Sequence, residues 1–269
     1  MSRYAAMFEQ LQARREAAFG GFLMLGDPDV ATSGGMLDAL VEGGADMIEI
    51  GIPFSDPVAD GPVIQAAAQR ALAAGVRVSD CLELIAGFRS RHPHVPLGIL
   101  TYANLVVARD GFMRDAAAAG ADSLLLADVP AFEAQPFVTE MAEAGLEPVL
   151  IAAPNTPDAT LERVARLSKA YTYCVSRAGI TGTHAAGAFD AKLISRLMRL
   201  EAPPPVFGFG ISQPDHVRNA VSAGASGVIC GSALVELMSR GGNLAQLVGL
   251  LKSATRHENS VERLGAGMN

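Results

Sequence analysis

Apolar positions along this chain fall into short continuous runs, separated by longer stretches in which they recur at three- and four-residue spacing. The runs are Gly21–Leu25, Met47–Gly51, Leu97–Tyr102, Ser123–Ala127, Pro148–Ala152, Tyr171–Val175, Val206–Gly210 and Gly227–Cys230. A strand covered on one face alternates apolar with polar residues, whereas a continuous run is what a strand covered on both faces requires. The stretches between them carry helical periodicity, as where Phe137, Met141 and Ala144 fall on one face. Small-residue turns join helix to run at Glu42-Gly43-Gly44-Ala45-Asp46, Ala119-Gly120-Ala121-Asp122, Ala144-Gly145-Leu146 and Ala223-Gly224-Ala225-Ser226. Each places glycine where a helix end calls for a left-handed residue. Strands alternating with helices predict a parallel sheet.

Eight such units predict an α/β fold closed into a (β/α)8 TIM barrel with extra helices. The expected organisation is one domain over residues 1–269, with a polar tail that frays from about Ser253. A doubly wound sheet is the main rival, and it wants G-x-G-x-x-G after a strand. Gly208-Phe209-Gly210 runs on into Ile211-Ser212-Gln213, without the third glycine. Two helices, Val63–Ala74 and Ser79–Arg91, are predicted between the second and third strands, and the second is an insertion relative to a minimal barrel.

Composition narrows the function classes. At 269 residues and 50% hydrophobic, the chain can build one large core. A net charge of -7 leaves no basic stripe for nucleic acid or an anionic membrane. An anionic substrate would then be held locally, by backbone N–H groups or a few Arg. Met1–Arg15 is polar and amphipathic and does not read as a secretory signal, and no apolar run reaches membrane-spanning length. Cys81, Cys174 and Cys230 lack disulfide or metal spacing and read as small core residues in a reducing compartment, so the expected location is the cytoplasm. His92 and His94 straddle Pro93 with no third ligand nearby, and no metal site is expected.

The candidate chemistry lies in Glu49-Ile50-Gly51-Ile52-Pro53-Phe54-Ser55-Asp56-Pro57-Val58-Ala59-Asp60-Gly61-Pro62. Glu49 is an acid within a run that reads as buried on both faces, so desolvation should raise its pKa. Asp60 lies beyond a stiff turn, where it is expected to see more water and stay ionised. Carboxylates whose environments push their pKa values apart suit acid and base roles. The bland alternatives are a strand-end Glu reaching solvent and Asp residues capping their own turn. Barrel active sites sit at the C-terminal ends of the strands, where Glu49 and Asp60 would both lie. Glycine-bearing loops follow the last three strands there: Gly179–Thr183, Gly208–Ser212 and Gly231-Ser232. Together they predict a phosphate site, against the alternative of ordinary turns and an N-cap at Ser232. His184 reads as a surface residue, and Tyr173 as core or substrate contact.

The chain resembles the tryptophan synthase α subunit family over nearly its whole length. The resemblance is carried by Leu25-Gly26-Asp27-Pro28, the segment from Glu49 to Gln65, Tyr102-Ala103-Asn104-Leu105, Ala127-Asp128-Val129-Pro130, Ser176–Gly182, Gly208–Ser212 and Gly231-Ser232-Ala233. It implies retro-aldol cleavage of indole-3-glycerol phosphate to indole and glyceraldehyde 3-phosphate. Glu49 would be the acid–base on indole C3 and the side-chain hydroxyl, and Asp60 would accept from the indole N–H. Phe22, Leu100, Leu125, Ala127, Ile151 and Tyr173 would form the indole slot, and Gly182, Gly210, Gly231 and Ser232 would hold the phosphate. Thr181 would belong to a closing loop. The implied partner is a pyridoxal-phosphate β subunit in an α2β2 heterotetramer, faced by the loop bearing Asp56, with no cofactor on this chain. Met24 stands where the family has Thr. A stand-alone indole-releasing lyase, a non-catalytic regulatory barrel and another phosphate-binding barrel enzyme are the alternative readings.

Overall fold

Apolar runs become strands because their backbones can hide only by pairing with one another. A computed structural model describes residues 1–175 and 189–256. The strands are β1 (Ala18–Met24), β2 (Met47–Gly51), β3 (Leu97–Thr101), β4 (Ser123–Leu126), β5 (Glu147–Pro148), β6 (Leu150–Ala152), β7 (Thr172–Cys174), β8 (Pro205–Phe207) and β9 (Gly227–Cys230). Every residue of β1, β2, β4 and β9 is buried. The order is β5-β4-β3-β2-β1-β9-β8-β7-β6, and the paired strands are parallel.

Eight strands were expected among the described residues and nine are present, because the fifth run is divided at Val149. Pro148 has no N–H to contribute to a ladder. Its carbonyl accepts from Lys169 N at 2.8 Å, while Val149 N donates to Leu124 O at 3.1 Å. One short stretch thus bonds first toward β4 and then toward β7, which brings the sheet round into a nearly closed TIM barrel. The first strand begins three residues earlier than the Gly21 start expected from the apolar pattern.

Around the barrel lie α1 (Arg3–Arg14), α2 (Val30–Glu42), α3 (Pro62–Ala73), α4 (Val78–Arg91), α5 (Ala103–Val107), α6 (Phe112–Ala119), α7 (Gln135–Ala144), α8 (Asp158–Leu167), α9 (Ala191–Arg199), α10 (Pro214–Ser222), α11 (Ser232–Ser239) and α12 (Leu244–Ser253). Local chemistry sets several ends. Asp29 accepts from Thr32 N to start α2, and Pro62 and Pro214 open α3 and α10 where a missing N–H costs nothing. Gly120 and Gly145 end α6 and α7 at φ 105° and 85°. The helix predicted after Ser79 is α4, and it packs against α2 and α6.

The N-terminal end of the barrel is plugged by α1. Tyr4 reaches inside, its ring 5.5 Å from that of Tyr171 and its hydroxyl 3.0 Å from Ser123 Oγ. Gly98 makes that fit possible, since a Cβ there would stand 2.5 Å from Ser123 Oγ and 2.9 Å from the Tyr4 hydroxyl. The tail is tied down beyond the point where fraying was expected. Thr255 is buried, its carbonyl accepts from Ala17 N at 3.0 Å, and Lys252 pairs with Asp46 at 2.7 Å. Residues 257–269 lie outside the described part. No helix among the described residues is long and apolar enough to cross a membrane.

Candidate active site

The polar face of the barrel is the one at which the strands end. Side chains on parallel strands in register share a face, and Phe22 on β1 pairs with Glu49 on β2. Both line a cleft of about 420 Å³, counting its open mouth, together with Asp60, Leu100, Tyr173, Gly231 and Ser232. Seven of the residues expected at the site therefore meet in one place, although they come from five strands or the loops after them. Ala59, Gly61, Ile64, Gly208, Phe209 and Ile229 complete the lining.

Other expected residues stand outside this lining. Leu125 is buried on β4 beside Leu100, and Ile151 lies on β6 beside Tyr173, so each shares a face with a residue of the cleft. Ala127 is half-buried just past β4, and Gly210 is exposed at φ 79°. Asp56 is exposed in the turn after β2, where it accepts from the Ser55 hydroxyl. Thr181, Gly182 and His184 lie outside the described residues.

Burial dominates the electrostatics. Glu49 is 3% exposed, and desolvation pushes its carboxyl up to about 7 from 4.5. The Tyr171 hydroxyl donates to Glu49 Oε1 at 2.8 Å and pulls the other way, while the neighbouring Asp60 adds to the rise. Asp60 differs from the sequence expectation of a well-hydrated, ionised group. It is half-buried, desolvation raises its pKa, and a hydrogen bond with Tyr102 offsets part of that rise. The reason is the wall of Tyr102 and Phe54, rings stacked at 5.3 Å, beside which its loop lies. Both carboxyls are thus shifted upward, and Glu49 reaches neutrality.

This shift has a consequence for stability. A carboxyl at 4.5 in the unfolded chain and about 7 in the fold keeps a proton that the unfolded chain gives up in that window. Folding stability therefore falls as pH rises through the window, by roughly 3 kcal/mol once pH exceeds the folded value. Chemical denaturation at about pH 5 and pH 8 should show this loss in the native chain and much less of it in Glu49→Gln. Equal pH dependence in the two would mean that Glu49 ionises freely.

Supporting contacts hold the rim. Asp27, buried after β1, takes both Nε and Nη2 of Arg70 at 2.7 Å and so fixes α3, whose first turn brings Ile64 to the cleft. The Arg70 side chain is 39% exposed, so losing it costs less than the ~3–5 kcal/mol of a fully buried pair, because water can reach the guanidinium. Gly208 lies under the Tyr173 ring, where a Cβ would come within 2.0 Å of Cζ. At Gly51 a Cβ would meet Met24 Cε at 2.8 Å and Phe22 Cζ at 2.9 Å, so Met24 packs in beside the Phe22 wall. The first turn of α11 opens on the cleft with Gly231 at the N-cap position and no side-chain cap, so the alternative reading of Ser232 as an ordinary N-cap does not hold. Uncapped N–H groups at a helix start suit an anion.

From the sequence Tyr171 has no assigned role, and Tyr102 stands only among the residues that carry the family resemblance. Tyr171 lies two residues before Tyr173 and so points to the same barrel face, a spacing that marks it as an interior residue. Its pairing with Glu49 spans 122 positions and left no local trace. Among the described residues no group of three or more His, Cys, Asp or Glu is arranged to hold a metal ion.

Comparison with known proteins agrees with this geometry. The family described as "Tryptophan synthase alpha chain" matches residues 8–264. The tryptophan synthase alpha chain of Vibrio cholerae is 48% identical over 241 residues, covering 88% of this chain and 90% of that one. A crystal structure of tryptophan synthase from M. tuberculosis, in an aminoacrylate-bound form, superposes with a TM-score of 0.85 at 32% identity, covering 95% of this chain and all of that one. A chain of the tryptophan synthase α2β2 complex of Pyrococcus furiosus gives 0.76 at 34% identity, over 90% of this chain and 97% of that one. With a family match over most of its length and the same barrel in its solved relatives, this chain belongs to the tryptophan synthase alpha chain family.

Proposed function

We propose that Glu49 and Asp60 perform the family's α reaction, retro-aldol cleavage of indole-3-glycerol phosphate to indole and glyceraldehyde 3-phosphate. The chain is a carbon–carbon lyase of tryptophan biosynthesis. The observation that carries the residue assignment is Glu49: a buried carboxyl, close to neutrality in its titration, facing an aromatic cleft at the C-terminal end of the barrel.

Protonation at indole C3 produces an indolenine, into which the C–C bond electrons can collapse once the adjacent hydroxyl of the side chain loses its proton. A group with a pKa near 7 holds and releases protons with comparable ease at neutral pH, which suits both transfers. Glu49 therefore donates to C3 and accepts from the hydroxyl. Asp60, across the cleft, accepts from the indole N–H and stabilises the positive charge that develops on the ring. Phe22, Leu100 and Tyr173 enclose the indole, and Leu125, Ala127 and Ile151 extend that wall behind them. Gly231 and Ser232 hold the phosphate at the start of α11, with Gly210 and Gly182 from neighbouring loops, and Thr181 belongs to the loop that closes over the substrate.

The α chain carries no cofactor, and pyridoxal phosphate belongs to the β subunit that receives the indole. Three large apolar side chains support docking at the mouth of the cleft: Val58, Val107 and Phe132 are 70%, 68% and 63% exposed in segments after β2, β3 and β4. Asp56 sits in the first of these segments and faces the partner on this reading. We also assign the chain to a single domain and to the cytoplasm, which fits its three buried free thiols.

The test is release of indole from indole-3-glycerol phosphate by the purified chain, alone and with a cognate β subunit. Slow release that rises sharply with the partner is the expected result. Fast release without the partner would favour an independent lyase, and no release in either case would leave a barrel of some other activity.

A further inference from the structure

Tyr102 has no part in the chemistry described above, yet the loop bearing Asp60 is fastened to it at two points. Its ring stacks on Phe54 at 5.3 Å with the planes 25° apart. Its hydroxyl accepts at 3.3 Å from the N–H of Ala59, the residue before Asp60, and so lies beside the Asp60 carboxyl, whose pKa it lowers. Between these points Ser55, Asp56 and Val58 are exposed, so the loop arches away from the barrel while its two feet rest on one side chain. Tyr102 itself is buried at the end of β3, and the next residue is held by the bond from Ala103 N to Asp128 Oδ1 at 2.9 Å.

A phenol has a single proton to give. With the Ala59 N–H occupying a lone pair, the O–H is left for Asp60. We propose that Tyr102 is a positioning residue for the cleavage reaction, which aims the Asp60 carboxylate into the cleft and keeps it able to accept the indole N–H. This inference rests on the role given to Asp60 above. Among the described residues, the titratable groups that face Asp60 are Glu49 from β2, Tyr102 at the end of β3 and Tyr173 from β7. Of these, Tyr102 is the one whose hydrogen bond favours the ionised carboxylate.

The experiment uses the full chain with its β subunit and compares the native protein, Tyr102→Phe, Asp60→Asn and the double variant. Indole release is followed across pH, and thermal melting checks folding. Tyr102→Phe keeps the ring and its stack but removes the donor. The Asp60 pKa then rises, so the acid limb of the kcat profile moves to higher pH, with a loss of about tenfold or more at low pH. That loss narrows as pH rises and Asp60 ionises unaided. On the Asp60→Asn background the same change has little further effect, because its route is already closed. An unmoved acid limb, or full additivity in the double variant, overturns the positioning role while leaving the reaction assignment intact. If the native chain releases indole and Asp60→Asn does so equally well, the reading of Asp60 fails and this inference falls with it. A Tyr102→Phe chain that melts at a lower temperature but keeps the native pH profile would show the hydroxyl to be merely structural and would overturn the positioning role.

Discussion

Replacing Glu49 with Gln will lower indole release by ~10²–10⁴-fold while leaving a folded barrel, the loss expected when a general acid–base group is removed. The amide is close in shape to the carboxyl and can still accept from the Tyr171 hydroxyl, which donates to Oε1 at 2.8 Å in the native chain. It cannot deliver a proton to C3 and take one from the hydroxyl in turn. Steady-state kinetics with the β subunit present, beside a melting curve, would check this. KM should change far less than kcat, because the lost interaction belongs to the transition state. Near-normal turnover in a folded Glu49→Gln chain would remove Glu49 from the mechanism.

Gly208→Ala should be the most damaging single-methyl addition at the site. The new Cβ would stand 2.0 Å from both Cζ and the hydroxyl oxygen of Tyr173, and 2.5 Å from Cε2. The ring cannot retreat easily: Tyr173 is 4% exposed and meets the Phe209 ring edge-on at 5.9 Å. It must swing into the cleft, toward the space the indole needs. Overpacking of this kind costs ~1–3 kcal/mol, or about 5- to 150-fold if it falls on substrate binding. The diagnostic experiment is a second change, Tyr173→Leu, which removes the obstructing ring. Each single variant should lose kcat/KM, and the double variant should recover part of what Gly208→Ala lost. Simple additivity would mean that the loop after β8 moves aside without disturbing Tyr173.

The two carboxyls illustrate how far a linear reading reaches. Glu49 stands out because an acid inside a continuously apolar run has few places to go, and its burial and upward shift follow from that pattern. Asp60 was expected in water for the same kind of local reason, since Pro, Gly and Asp around it are turn residues. Its half-burial comes from Tyr102, 42 positions further along the chain and brought beside it by the β2–β3 pairing. The glycines behave likewise. Gly98 and Gly208 look like any other small residue in sequence, and their necessity appears only when Tyr4 and Tyr173 are seen lying over them.

What the sequence determined by itself is whatever depends on neighbours along the chain. Burial on both faces, helix ends marked by glycine and proline, and the alternation of elements follow from backbone sterics and from the non-directional hydrophobic effect. These specified parallel strands, the barrel and the end of it that bears Glu49 and Asp60. The tertiary structure alone decided which side chains face each other across the interior: Tyr171 against Glu49, Tyr4 against Ser123, Tyr102 against the Asp60 loop. It also decided how the fifth apolar run divides at Val149 to bring the two flanks of the sheet together. Hydrogen bonds and ring contacts are directional and operate over a few ångströms, so such pairings follow from how the sheet curls and in what register, and the order of residues encodes that only through the packing of the whole barrel.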